Sequence, residues 1–138
     1  MDRIFLTATL LVLSAMVGCS GSTETIEVNG VVTVDGKPMS NIEVKFHSTS
    51  PTAVVAATTN SNGRYRVDLV TGDGEKDSTH RVVLTDLNIY EYRDDESDSP
   101  EAPESRIHEK YAHLLTSNLT VSKADLQSEV DFTVEGNY

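Results

Sequence analysis

Four histidines are the side chains of this chain best suited to acid–base or metal chemistry. They are His47, His80, His108 and His113. The last two are five positions apart, whereas side chains on one helix face are about three or four residues apart. No cysteine or second histidine stands at the spacing of a zinc site. The sequence therefore predicts surface histidines, with no metal ion, no cofactor and no catalytic residue.

Carboxylates are concentrated in one segment, 88–106. Seven of them lie between Glu91 and Glu104, beside two prolines. Such a composition buries too little apolar surface to order itself, so we expect a mobile acidic loop. Flexible carboxylates hold Ca²⁺ only weakly because they repel one another, and Ca²⁺ binding by this loop stays open. The segment 60–63 (NSNG) also has alternating oxygens, but it lacks acidic residues, and we interpret it as a hairpin turn.

Composition argues against one class of partner. The chain has 22 acidic and 11 basic side chains, which give a formal net charge of −11. A surface this negative repels phosphate backbones, so we expect no nucleic acid as partner. Tryptophan is absent and aromatic residues are few, which argues against a large stacking surface for sugars or bases. The sequence also has no G-x-S-x-G motif of serine hydrolases, no phosphate-binding loop and no dinucleotide-binding motif.

The first 19 residues resemble a bacterial lipoprotein export signal. A short basic start precedes a mostly apolar run at 4–17, which is shorter than the roughly 20 residues of a membrane span. Met16-Val17-Gly18-Cys19 then resembles a lipobox. The resemblance implies a signal peptide at 1–18, cleavage before Cys19, and lipid on its sulfur and new amine. The alternative is an ordinary secreted protein with a free thiol.

Residues 19–25 are small and polar, and we interpret them as a tether. The remaining residues are patterned as short strands in which apolar side chains alternate with polar ones. We predict strands at 26–34, 42–47, 53–58, 64–69, 80–87, 119–121 and 130–134. One or two helical turns are predicted at 106–115, and a turn at 123–127. This pattern predicts an all-β fold, a seven-strand β-sandwich.

Specific residues are expected to hold this sandwich together. Gly36 and Gly63 end turn sequences that need a positive φ angle. Four large apolar side chains are expected to be buried between the sheets, namely Phe46, Val67, Leu84 and Phe132. Because the chain has one cysteine, no intrachain disulfide supports this core.

Three motifs, in order, resemble those of carboxypeptidase regulatory-like domains. Residues 31–38 (VVTVDGKP) followed by 44–46 are similar to the opening of these domains. Residues 59–65 (TNSNGRY) look like the second signature, with Asn60 where aspartate is usual, and 80–85 looks like the third. The resemblance implies a transthyretin-like domain at 26–138, an antiparallel seven-strand sandwich of the Ig-like or prealbumin-like kind.

Function is expected to follow from the anchor and the domain together. The resemblance supplies no catalytic residues, and the chain end (Gly136-Asn137-Tyr138) differs from that of hydroxyisourate hydrolase, an enzyme of the same fold. We expect a non-enzymatic lipoprotein of the cell envelope, periplasmic or surface-exposed, attached to the membrane through Cys19. Its sandwich would be structural or would contact an envelope protein whose identity is unknown. The alternative is a module that binds a peptide, a glycan or calcium.

Overall fold

The structure is a computed structural model that describes residues 24–49, 52–71, 79–91 and 103–137. The predicted signal peptide, Cys19 and the larger part of the acidic segment lie outside these ranges. The described strands are β1 (Glu24–Val34), β2 (Lys37–Pro38), β3 (Ile42–Thr49), β4 (Thr52–Thr58), β5 (Arg64–Thr71), β6 (Thr79–Asp86), β7 (Thr120–Ser122) and β8 (Phe132–Val134). Helix α1 spans Asn88–Glu91, and 3₁₀ turns span Glu109–Tyr111 and Asp125–Gln127.

These strands form two facing sheets. In the first sheet β1 is central and pairs with β2 and β5 antiparallel and with β8 parallel. The second sheet is antiparallel and has the order β4-β3-β6-β7. The prediction of an all-β, sandwich-like fold is confirmed. Two details differ, because eight strands are described rather than seven and the β1–β8 pair is parallel rather than antiparallel.

The core follows the two-residue period of the sequence. In β5, Tyr65, Val67 and Leu69 are buried, and the residues between them are exposed. All four side chains predicted as core are buried. The rings of Phe46, Tyr65 and Phe132 meet at the centre, with centroids 6.0 to 6.2 Å apart. These aromatic side chains bring the two sheets together, since they come from strands of both.

Neither of the two glycine turns joins two long neighbouring strands, because the chain changes sheets soon after the first turn and across the second. The turn at Asp35-Gly36 leads only into the two-residue strand β2, and the chain then crosses to the other sheet as β3. The turn at 60–63 joins β4 of one sheet to β5 of the other, so its interpretation as a hairpin turn is wrong. The alternation of apolar residues is the same whether the next strand lies beside or opposite, which is why the sequence did not separate these cases.

Both turn glycines have the predicted backbone conformation. Gly36 has a φ angle of 79° and Gly63 one of 71°, which confirms the prediction. At Gly63 the space is closed as well, because an added Cβ would lie 2.9 Å from both the Val32 oxygen and the Met39 nitrogen. At Gly36 no atom would lie within 4 Å of it.

The sandwich has two ends that are distinguished by the strand registers. At the N-terminal end, Glu24 is paired with Thr71, and Thr79 with Ser122. At the opposite end, Ile42 is paired with Asp86. The register of β3 with β6 runs from Ile42 to Ser48, so these ends are about 20 Å apart at roughly 3.3 Å per residue. We call the second one the Asp86 end.

Candidate functional site

The acidic segment begins and ends at one buried carboxylate. The side chain of Asp86 has no exposed surface, and Arg106 beside it is 28% exposed. Arg106 donates from Nε to Oδ2 at 2.8 Å and from Nη2 to Oδ1 at 2.7 Å. The backbone nitrogens of Arg106 and Asn88 donate to the same carboxylate at 2.8 and 3.1 Å. We call this group of contacts the Asp86–Arg106 clasp.

The guanidinium also binds the loop that crosses between the sheets. Nη2 of Arg106 donates to the Ser40 carbonyl at 2.9 Å, and Nη1 lies 3.0 Å from the Met39 sulfur. The side-chain amides of Asn41 and Asn88 touch at 2.6 Å. The clasp therefore fixes both ends of the segment 88–106 against the crossover between β2 and β3.

Electrostatics keep the clasp ionised. Burial alone would raise the pKa of the Asp86 carboxyl. The hydrogen bonds from the Arg106 side chain, from the two backbone nitrogens and the nearby guanidinium charge outweigh burial, so this pKa lies below its ordinary value. A carboxylate that is ionised, enclosed and already holds four donors is suited to closing a loop and poorly suited to accepting a substrate proton.

The sequence did not single out Asp86 or Arg106. Two signals were present, since Asp86 ends a strand of apolar residues and Arg106 ends the acidic segment. The pairing joins residues 20 positions apart across a segment without a periodic pattern, so it could not be predicted from spacing. Part of that segment is ordered, because α1 occupies Asn88–Glu91. The expected mobility and Ca²⁺ binding concern mainly residues 92–102, which lie outside the described ranges.

His80 contradicts the prediction that all the histidines are at the surface. It is 2% exposed, and in β6 it is paired with Ser48 on one side and Val121 on the other. Its Nδ1 is enclosed and has no hydrogen-bond partner. Burial lowers the pKa of His80, because the charged imidazolium is poorly solvated there. This position was not predicted, since His80 is the first residue of the predicted strand 80–87 and a strand's first residue does not indicate which face it occupies.

The other three histidines lie on separate elements. His47 is half-buried on β3, and His113 is exposed in the segment after the first 3₁₀ turn. His108 is half-buried and caps that turn, where its Nδ1 accepts from the Lys110 nitrogen at 3.1 Å. Within the described ranges, no three His, Cys, Asp or Glu side chains come close enough to hold a metal ion.

The turn at 60–63 uses its own oxygens. Oδ1 of Asn60 accepts from the backbone nitrogens of Asn62 and Arg64 at 2.9 and 3.0 Å. The backbone oxygen of Asn60 accepts from Gly63 at 2.9 Å. These bonds stabilise the turn, so the resemblance of its sequence to a calcium loop is explained by turn chemistry.

Cys19, the one residue predicted to be modified, lies outside the described ranges. None of the helices in the part of the chain that the structure describes has the length and apolar character needed to cross a bilayer. A comparison of the chain with protein-family models found no match. Comparisons with curated proteins and with solved structures likewise found no match. The resemblance to carboxypeptidase regulatory-like domains stays a prediction based on three short motifs.

Proposed function

We propose that this protein is a lipid-anchored component of a bacterial cell envelope whose β-sandwich is a non-enzymatic structural or protein-interaction module. Lipid on Cys19 attaches it to the membrane, and the sandwich lies in the periplasm or at the cell surface. The observation that carries the proposal is the lipobox-like sequence ending at Cys19, followed almost at once by an ordered domain.

The start of the sheet supports this arrangement. β1 begins at Glu24, two residues before the predicted strand, so only residues 20–23 separate the sheet from Cys19. Five residue steps reach about 18 Å at most, at roughly 3.5 Å per step. Lipid on Cys19 would therefore hold the sandwich against the membrane surface, with little free travel.

The position of the clasp supports a role in presentation. The tether joins the N-terminal end, whereas the acidic segment leaves from the Asp86 end, about 20 Å away along the strands. The clasp fixes both ends of that segment to a rigid sheet. Segments held in this way are where binding surfaces commonly lie, because the scaffold positions them and solvent surrounds them.

The described chemistry favours contact over catalysis. The buried carboxylate is fully hydrogen-bonded, and the half-buried His108 serves as a cap for a 3₁₀ turn. An acid–base pair would need titratable groups that converge on an accessible position. His80 is instead buried, and the β3–β6 register places His47 on the opposite face of their sheet.

The proposal is tested by following a fatty-acid label in a bacterium that processes lipoproteins. The full chain should take up the label and partition into the detergent phase. Cys19→Ala should lose the label and accumulate as an unprocessed or soluble form, because the acceptor thiol is gone. Ser20→Ala is the matched control and should behave as the unaltered chain. Labelling and partition that are unchanged in Cys19→Ala would contradict the proposal.

A further inference from the structure

The edge strand β4 differs from β5, the other long edge strand in the described part of the chain. It pairs with β3 on one side, and no strand in the described ranges pairs with its other side. Its seven residues, TAVVAAT, include no charge, proline or glycine. Edge strands usually carry such residues or are very short, because an unprotected edge recruits a further strand. The first sheet's long outer strand β5 has Arg64, Arg66 and Asp68 on its exposed side.

Both faces of β4 could continue into an added strand. Val54 is 56% exposed on the outer face, and Ala56 and Thr58 are exposed beside it. Val55 and Ala57 point the other way and pack against the core. A strand with small apolar side chains on both faces would therefore extend the outer surface and the core together.

The sequence of β4 is close to its own reverse, and this makes a second copy the fitting occupant. In an antiparallel pair centred on Val55, Thr52 lies opposite Thr58 of the second copy and Ala53 opposite Ala57. Val54 lies opposite Ala56 in the same register. A two-fold axis normal to the sheet keeps the inward faces of both copies inward. Every cross-strand contact is then between small or β-branched side chains, which suit a pleated surface.

Charge does not oppose this contact, although the chain as a whole has a net charge of −11. β4 is uncharged, and on the adjacent strand β3 Lys45 and Glu43 neutralise each other at 2.7 Å. The strip along the β4 edge is therefore locally neutral on an acidic protein. Two copies would approach here with less repulsion than at edges where charged residues face each other.

We propose that two copies of this chain associate through β4, which joins their four-stranded sheets into one continuous antiparallel sheet. The contact is self-complementary and closes at two copies. The dimer proposal does not depend on the lipid anchor. Because the two-fold axis reverses the strand direction, the N-terminal ends of the two copies point in opposite directions. Lipids on both copies therefore reach one membrane only if the strands lie parallel to its surface. Strands of seven residues bury less than the roughly 1,600 Å² of a standard interface, so we expect a dimer that dissociates on dilution.

Sedimentation velocity over a range of concentrations tests the association. The experiment uses the full chain with the substitution Cys19→Ala, which excludes disulfide-linked dimers. This protein should change from monomer to dimer as its concentration rises. Val54→Lys places a charge on the edge and should weaken association about tenfold or more. Val70→Lys, at a valine of β5 that is 38% exposed, is the matched control and should leave association unchanged.

Disulfide trapping tests the register of the two β4 strands. It also tests the association independently if the Val54→Lys variant fails to fold. Val54→Cys and Ala56→Cys variants in the Cys19→Ala background should cross-link with each other in a mixture more than either does alone. A chain that stays monomeric up to several hundred micromolar, or a dimer that Val54→Lys leaves intact, would overturn the proposal. Either result would leave lipid attachment at Cys19 untouched, so the two proposals fail separately.

Discussion

Replacing Arg106 with methionine should reveal how much the clasp contributes to stability. Methionine keeps an unbranched apolar stem but removes the two guanidinium donors, at 2.7 and 2.8 Å, from a carboxylate with no exposed surface. The two backbone donors remain. Removing one member of a buried ion pair typically costs about 3–5 kcal/mol, because a charge stays buried without its partner. Against a total of roughly 5–15 kcal/mol, that is a large part of the stability of a small domain.

Urea unfolding at pH 7, followed by circular dichroism, measures this loss. Arg64→Met is the matched control, because Arg64 and Glu129 form a pair whose side chains are 59% and 53% exposed. Such surface pairs contribute about 0–1 kcal/mol. Asp86→Asn combined with Arg106→Met should recover part of the loss, since no charge is then buried. A loss below about 1 kcal/mol for Arg106→Met would refute the view that the clasp holds the Asp86 end together.

The pH dependence of the same variant gives a second test with a definite sign. In the unaltered protein the pKa of Asp86 is lower in the folded state than in the unfolded state. The ionised carboxylate therefore adds to the free energy of unfolding at pH values above the unfolded-state pKa, and this addition is lost as pH falls through the folded-state pKa. In Arg106→Met, burial should raise the pKa of Asp86 because the guanidinium is absent. Protonation of Asp86 at lower pH should then remove the buried charge and restore part of the lost stability. The stability difference between the two proteins should therefore shrink from pH 7 towards pH 4. A difference that stays constant would contradict this reasoning.

Three further perturbations test the core, a turn and the buried histidine. Phe132→Ala should cost about 3–5 kcal/mol in urea unfolding, because this ring is 5% exposed and packs against Phe46. Gly63→Val should destabilise more than Gly36→Val, since only at Gly63 would a Cβ lie within 3.0 Å of backbone atoms; equal losses would contradict the geometry. Burial lowers the pKa of His80 in the folded state. The neutral imidazole therefore favours the folded state at pH values above the unfolded-state pKa, and this contribution to the free energy of unfolding is lost as pH falls towards the folded-state pKa. His80→Phe should therefore reduce the loss of melting temperature between pH 7.5 and pH 5, and an unchanged loss would count against it.

Sequence reasoning predicted the parts of this fold that repeat every two residues. The burial of Tyr65, Val67 and Leu69 could be predicted because these side chains alternate along β5 with polar or exposed neighbours. That alternation is visible in a few consecutive residues. The crossover after Asp35-Gly36 was not predicted, since alternation does not specify which sheet a strand joins. The clasp was missed for a related reason, because Asp86 and Arg106 meet only when the intervening segment closes. A single histidine at a strand start carries no sign of which face it occupies.

Mass spectrometry of the mature N-terminus, on full chain purified from bacterial membranes, is the most direct test of lipid attachment at Cys19. We expect an N-terminal peptide that begins at Cys19 and carries diacylglycerol on the sulfur and a fatty acyl group on the amine. A membrane-free protein whose N-terminal peptide begins elsewhere, or begins at an unmodified Cys19, would contradict the lipid anchor and with it the proposed place of this sandwich in the cell.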